Sequence, residues 1–107
     1  GAAFYFRNEL DFDESAVAKF LTADKRPVFE AVIRHLETCD GFTEEEIGKA
    51  FAGVMSETGL KLGKIGPAVR VALTGGTVSP GIYEVIAALG KKESLRRLHN
   101  VLPMLHE

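Results

Sequence analysis

The chain has 107 residues and a mass of 11.6 kDa, with 46% hydrophobic and 26% charged side chains. A single domain of that length buries roughly two-thirds of its unfolded surface, and the composition excludes a disordered chain. The formal net charge of −2 gives no global attraction for a polyanion, and the single cysteine, Cys39, excludes a disulfide framework.

The longest uncharged run, Val71 to Tyr83, is broken by Gly75-Gly76 and by Ser79-Pro80-Gly81, so no membrane span is expected. The chain opens at Gly1 without a Met, and no basic region precedes an apolar one. A processed chain or a piece of something longer is therefore expected, without a secretory signal, in the reducing cytoplasm.

In chain order, residues 1–12 read as an extended or linker segment. Phe4-Tyr5-Phe6 suits a short extended piece or the frayed end of an upstream helix, and its aromatics are expected to form a self-associating patch. Asp13 is placed to cap a short helix carrying Val17, Phe20 and Leu21, with Phe12 and Val17 at the staple positions. Val28, Phe29, Val32, Ile33 and Leu36 form one apolar stripe on a helix from about Asp24 to Thr38. Thr43 and Glu46 have the spacing of a capping box, Phe42 and Ile47 that of its staple. Ile47, Ala50, Phe51, Val54 and Met55 continue the helix until Gly59 closes it.

The second half, residues 59–107, follows the first helical part at 13–58. A helix over Lys64 to Thr74 carries Ile65, Val69, Ala72 and Leu73, with Pro67 acceptable only in its first turn, and Gly75-Gly76 ends it. Ser79 caps the next helix with Pro80 at its first position. Ile82, Val85, Ile86 and Leu89 form the buried face, and Gly90 stops it. The last helix, from about Lys92, carries Leu95, Leu98, Leu102 and Leu105, with its end frayed by Pro103. The pattern predicts an all-α domain of about six short helices in one bundle.

Charge is unevenly divided. Residues 1–60 hold six basic and twelve acidic side chains, net −6, whereas residues 61–107 hold seven and three, net +4. Such asymmetry orients a molecule on a polyanion, and equally arises in a plain mixed surface.

Few residues suggest chemistry. His35 and Cys39 are four apart on one helix, a spacing that can hold zinc, but no second pair completes it, and His99 and His106 have no partner motif. Glu44-Glu45-Glu46 suits the acid-rich first turn of a helix. No metal site and no catalytic residue is expected. One constellation suits a ligand: Arg70 late in a helix, the turn Thr74-Gly75-Gly76-Thr77, and Ser79-Pro80-Gly81 opening the next helix with Ile82 and Tyr83. A helix N-terminus presents unpaired N–H groups to a phosphate or base edge, and Gly81 lets a backbone approach. Arg70 offers a planar cationic fork and Tyr83 a stacking face. The same residues also suit a plain helix start, with Val78 and Tyr83 as its staple.

Two stretches, Leu60-Lys61-Leu62-Gly63-Lys64-Ile65-Gly66-Pro67-Ala68-Val69-Arg70-Val71-Ala72-Leu73-Thr74-Gly75 and Val78 to Lys91, resemble the C-terminal region of bacterial-type glutamyl-tRNA synthetases, whose pattern runs LKxGKxxxPLRVALTG and then SPGxFExxxxLGKE. The match is dense over residues 59–98. It is looser upstream, where the aromatic-acidic opening, Lys19-Phe20-Leu21 and Phe42-Thr43 agree. The resemblance implies an α-helical anticodon-binding domain that grips the anticodon loop of glutamate tRNA.

It further implies that Arg70 contacts anticodon bases, and that Ser79, Pro80 and Ile82 line the pocket of the first base. Tyr83, where the family often has Phe, would stack near the middle one, and Thr74 with Gly75-Gly76 would shape the loop. Gly81 completes the set, and Lys61, Lys64, Lys91 and Lys92 are candidate phosphate contacts. Gly76 stands where the family often has Arg or Lys, and Ala68 where it usually has Leu.

By the same resemblance the parent enzyme activates glutamate with ATP and magnesium and esterifies it to tRNA. Its catalytic and upstream tRNA-binding domains, partners of this one, are not in this sequence, so the chain itself is expected to need no cofactor and to catalyse nothing. The rival expectation is a helical protein-interaction module with no RNA role, whose binding would not depend on Arg70.

Overall fold

Side-chain caps open two of the helices and glycines close three, and the structure, a computed structural model, describes residues 12–77 and 80–106. The Phe4-Tyr5-Phe6 and Ser79 expectations lie outside those residues. Asp13 caps α1 (Glu14–Phe20), its side chain accepting from the Ser15 and Ala16 N–H groups. A 3-10 turn, Ala23–Lys25, leads into α2 (Arg26–Glu37), which has Pro27 in its first turn. Thr43 caps α3 (Glu44–Thr58) through its hydroxyl and the Glu46 N–H, and Gly59 ends it at φ 73°. Only glycine adopts that left-handed turn without strain. Then come α4 (Leu62–Thr74), α5 (Ile82–Leu89), α6 (Lys91–Asn100) and a last 3-10 turn at Leu102–Met104, where Pro103 sits.

α2 lays its apolar face on α3, and α6 runs against α2, α4 and α5. α5 also touches α3, while α1 leans on α4 alone among the helices it contacts extensively. The shared core includes Leu21, Phe29, Leu36, Ile47, Phe51, Ile65, Leu73, Ile86 and Leu98, all fully buried. Among the described residues there is no strand, only an isolated bridge between Thr22 and His106, and no helix is long and apolar enough to cross a membrane.

Two expected boundaries shift. α4 begins at Leu62, two residues before Lys64, so Pro67 lies inside the helix and not in its first turn. The Ile65–Val69–Ala72 stripe is buried, and extending it back one turn gives Leu62 a partly buried seat. The donor missing at Pro67 leaves the carbonyl of Gly63 without its partner, and Gly63 is exposed, so water can serve it. α5 begins at Ile82, with Gly81 as its cap and Pro80 ahead of it. A glycine inside the first turn would cost about 1 kcal/mol relative to alanine, whereas a glycine cap costs little.

Candidate functional site

The predicted constellation is assembled where α4 ends. Gly75 turns the chain at φ 88°, returning its N–H to the Val71 carbonyl at 2.8 Å. Its own carbonyl accepts the Asp13 N–H at 2.7 Å, so the cap of α1 holds the turn from outside. Thr74 Oγ1 lies 2.8 Å from the Arg70 carbonyl and 3.0 Å from that of Gly76, and accepts the Gly76 N–H at 3.4 Å. A single hydroxyl thus laces the last turn of α4 to the loop.

Beneath that turn lies Arg97 of α6, only 2% exposed. Its Nη1 donates to the Leu73 carbonyl at 2.7 Å and its Nε to Glu93 Oε2 at 2.7 Å. Glu93 also takes both a 2.9 Å and a 2.5 Å bond from Arg96. These two arginines, Arg96 first, hold the Glu93 carboxyl down at about 2. Part of the positive charge counted in the second half is therefore spent inside the fold.

Arg70 is half-buried on α4, and its Nε is buried with no hydrogen-bond partner. It lines a cleft of about 340 Å³ together with Pro67, Thr77, the α1 cap Asp13 and, from α1, Ser15, Ala16, Lys19 and Phe20. Tyr83 faces elsewhere. Its ring tilts 59° against Phe51 of α3 at 5.3 Å between centroids, close enough to Gly48 that a Cβ there would sit 3.6 Å from Tyr83 Cε2. Burial pushes the Tyr83 hydroxyl pKa up. The structure brings Arg70 together with Thr77 and α1, and Tyr83 together with α3.

The remaining sequence candidates divide by exposure. Pro80 and Gly81 are exposed, whereas Ile82 is 6% exposed, so its side chain belongs to the core and its backbone N–H to the first turn of α5. Lys61, Lys64 and Lys92 are exposed. Lys91 donates to the Cys39 carbonyl at 3.0 Å, tying α6 to the chain after α2.

His35 and Cys39 do not converge. His35 Nε2 lies 3.0 Å from Glu57 Oε1, and Cys39 Sγ lies 3.6 Å from the His35 carbonyl. Burial raises the Cys39 thiol pKa. Among the described residues no three His, Cys, Asp or Glu side chains group as metal ligands would.

Sequence reasoning missed Arg97, Ser15 and Lys19. The four-residue spacing from Glu93 to Arg97 was a readable sign of an ion pair, but not of its burial. Nothing local marks α1 as a wall of the Arg70 cleft, since residues 15 and 70 meet only through tertiary packing.

Comparison with known proteins bears on the family and the fold. Residues 1–102 match a family described as the anticodon binding domain. The chain is 46% identical over its whole length to a glutamate–tRNA ligase of Geobacter sulfurreducens, covering 23% of that protein. It is 48% identical over 92% of its length to the glutamate–tRNA ligase of Syntrophobacter fumaroxidans, covering 21% of it. A crystal structure of a glutamate tRNA ligase from Elizabethkingia meningosepticum, in complex with its amino acid, superposes with a TM-score of 0.86 at 24% identity, covering 95% of this chain and 20% of that one. The chain spans under a quarter of the length of the relatives it matches.

Proposed function

Since the chain belongs to the anticodon-binding domain family, we propose that it grips the anticodon loop of glutamate tRNA as the RNA-reading part of a cytoplasmic glutamate–tRNA ligase. The ligase would attach glutamate to that tRNA, and we assign its ATP and magnesium to other parts of the longer protein. The observation that carries the reading is Arg70, whose Nε is buried without a partner in a cleft beside the ordered Thr74–Gly76 turn. A buried donor without a partner costs roughly 1–3 kcal/mol, and a nucleobase edge satisfies it.

The rest of the site supports the same ligand. Gly81 caps α5 without a side chain of its own, so the first N–H groups of that helix can meet a base edge beside the Glu84 carboxyl, which lies near the same turn. Exposed Lys61, Lys64 and Lys92 suit phosphates of the loop and stem, with Lys91 able to join them only by releasing Cys39. Tyr83, tilted against Phe51 and partly exposed, offers its outer side to a base, and Ser79 and Pro80 lie between it and the Thr77 turn in sequence.

A titration of the labelled chain with a glutamate tRNA anticodon stem-loop at low salt, read by NMR against a loop of altered anticodon, tests this. The expected result is anticodon-selective shifts at Arg70, Thr74, Ser79, Gly81 and Tyr83, with affinity falling steeply as salt rises. A folded sample that shifts with neither RNA overturns the proposal and favours a protein-binding role.

A further inference from the structure

We infer that α1 is a working wall of the RNA cleft: Lys19 meets the phosphate of the single unstacked nucleotide whose base Arg70 reads, and Phe20 and Pro67 flank that base. This rests on the RNA-binding reading above. Four of the residues that line the cleft with Arg70 come from α1, namely Ser15, Ala16, Lys19 and Phe20. The wall is fixed in place. Asp13 gives its N–H to the Gly75 carbonyl at 2.7 Å, and Leu21, at the other end of α1, is fully buried and accepts the His106 N–H at 3.1 Å.

Charge singles out Lys19 within the acidic half. Among the described cations of that half, Lys25 pairs with Asp24, Arg34 with Glu57, and Lys49 with Glu45 and Glu46, while Arg26 donates to the Leu102 carbonyl. Among the described residues Lys19 has no carboxylate or carbonyl partner; its ammonium stands 5.4 Å above the Phe20 ring. It is exposed, at the lip of a cleft in which, among the described residues, Asp13 is the one carboxylate, and that carboxylate accepts from the α1 backbone. The described lining therefore carries two positive charges, Lys19 from the acidic half of the chain and Arg70 from the basic half, against the one negative charge of Asp13.

Size and lining fit one nucleotide. A cleft of about 340 Å³ lies at the small end of ligand sites, which begin near ~300 Å³. It offers the apolar faces of Phe20 and Pro67, the hydroxyls of Ser15 and Thr77, and the unsatisfied Nε of Arg70. Sequence-specific RNA recognition uses these parts: a splayed base between flat side chains, a fork on its edge and a cation on its phosphate.

The test compares Lys19→Ala, Lys19→Arg and Arg70→Ala in the 107-residue chain against the anticodon stem-loop and its altered-anticodon control. Lys19→Ala is expected to weaken both RNAs by about threefold at moderate salt and to reduce the log–log salt slope by roughly 0.7, the share of one phosphate contact on a single strand. Lys19→Arg should restore both. The melting temperature should not move, because the side chain is exposed. If Arg70→Ala abolishes anticodon selectivity while Lys19→Ala leaves affinity and slope unchanged, the α1 wall is wrong and the RNA reading stands. If neither variant changes binding, the RNA reading fails and takes this inference with it.

Discussion

The guanidinium of Arg97 reaches across the domain to the backbone carbonyl of Leu73, donating from Nη1 at 2.7 Å over a sequence separation of 24 residues. A carbonyl in the last turn of a helix has no intrahelical partner, and a cation at that end also meets the favourable side of the helix dipole. Arg97 thus closes α4 from below while Thr74 and Asp13 hold the turn from above.

Replacing Arg97 by Met leaves the Leu73 carbonyl buried and Glu93 with one arginine instead of two. Destabilisation of about 3 kcal/mol is expected, with a melting temperature lower by ~10 °C or more. Urea denaturation measures it. A loss below about 1 kcal/mol would show that water replaces the guanidinium cheaply.

Acid should unfold the domain through two carboxylates. Hydrogen bonds from Arg96 and then Arg97 hold Glu93 at about 2, and bonds from Arg34 and then His35 hold Glu57 at about 2. Both values are depressed from 4.5, so the stability they contribute is present above that pH and is lost as pH falls from there toward 2. Denaturation midpoints at pH 6 and pH 3 read the loss, and Glu93→Gln should flatten it. The Glu57 share, at the more exposed pair, should fade in high salt while the Glu93 share persists.

Gly53 sits in the middle of α3, where alanine ordinarily adds up to about 1 kcal/mol. A Cβ there would lie 2.7 Å from His35 Cε1 and 2.8 Å from Nδ1, so the ring must leave and its bond to Glu57 with it. Gly53→Ala is expected to lower stability in the parent chain and to raise it in a His35→Ala background. A double-mutant cycle with no coupling between the two positions would contradict the contact.

Arg70→Lys separates charge from shape. Lysine keeps the cation but not the planar fork, so the salt slope of stem-loop binding should stay while discrimination between anticodons falls by roughly 1–3 kcal/mol. Equal losses on both RNAs would mean that Arg70 contacts only phosphate.

How far the sequence was readable depended on how local the cause was. Asp13, Thr43, Gly59, Gly75 and Gly90 are read from neighbours three or four residues away, and each caps a helix as expected. Pro80, expected as the first residue of its helix, and Pro67, expected in the first turn of its own, misled because α5 starts two residues later and α4 two residues earlier. A helix start can slide along several acceptable caps, and the register is settled by which side chains, Ile82 and Ile65 here, must reach the core. Arg70, Thr74 and the glycine turn were legible as a group because they are contiguous. The partners that give the site its shape were not, because Lys19, Arg97 and Phe51 arrive from helices distant in the chain.

The bridge between Thr22 and His106 carries a consequence for biosynthesis. His106 gives its N–H to Leu21 and its carbonyl accepts from Ala23 at 2.6 Å, so the exit of α1 is latched by a residue made more than eighty positions later. During translation the helices from α2 onward can dock on one another as they emerge, but α1 cannot take this latch until residue 106 has cleared the ribosome. Loops that long are slow to close. Within this domain the α1 side is then the last to settle, and disrupting the residues around His106 would loosen it first.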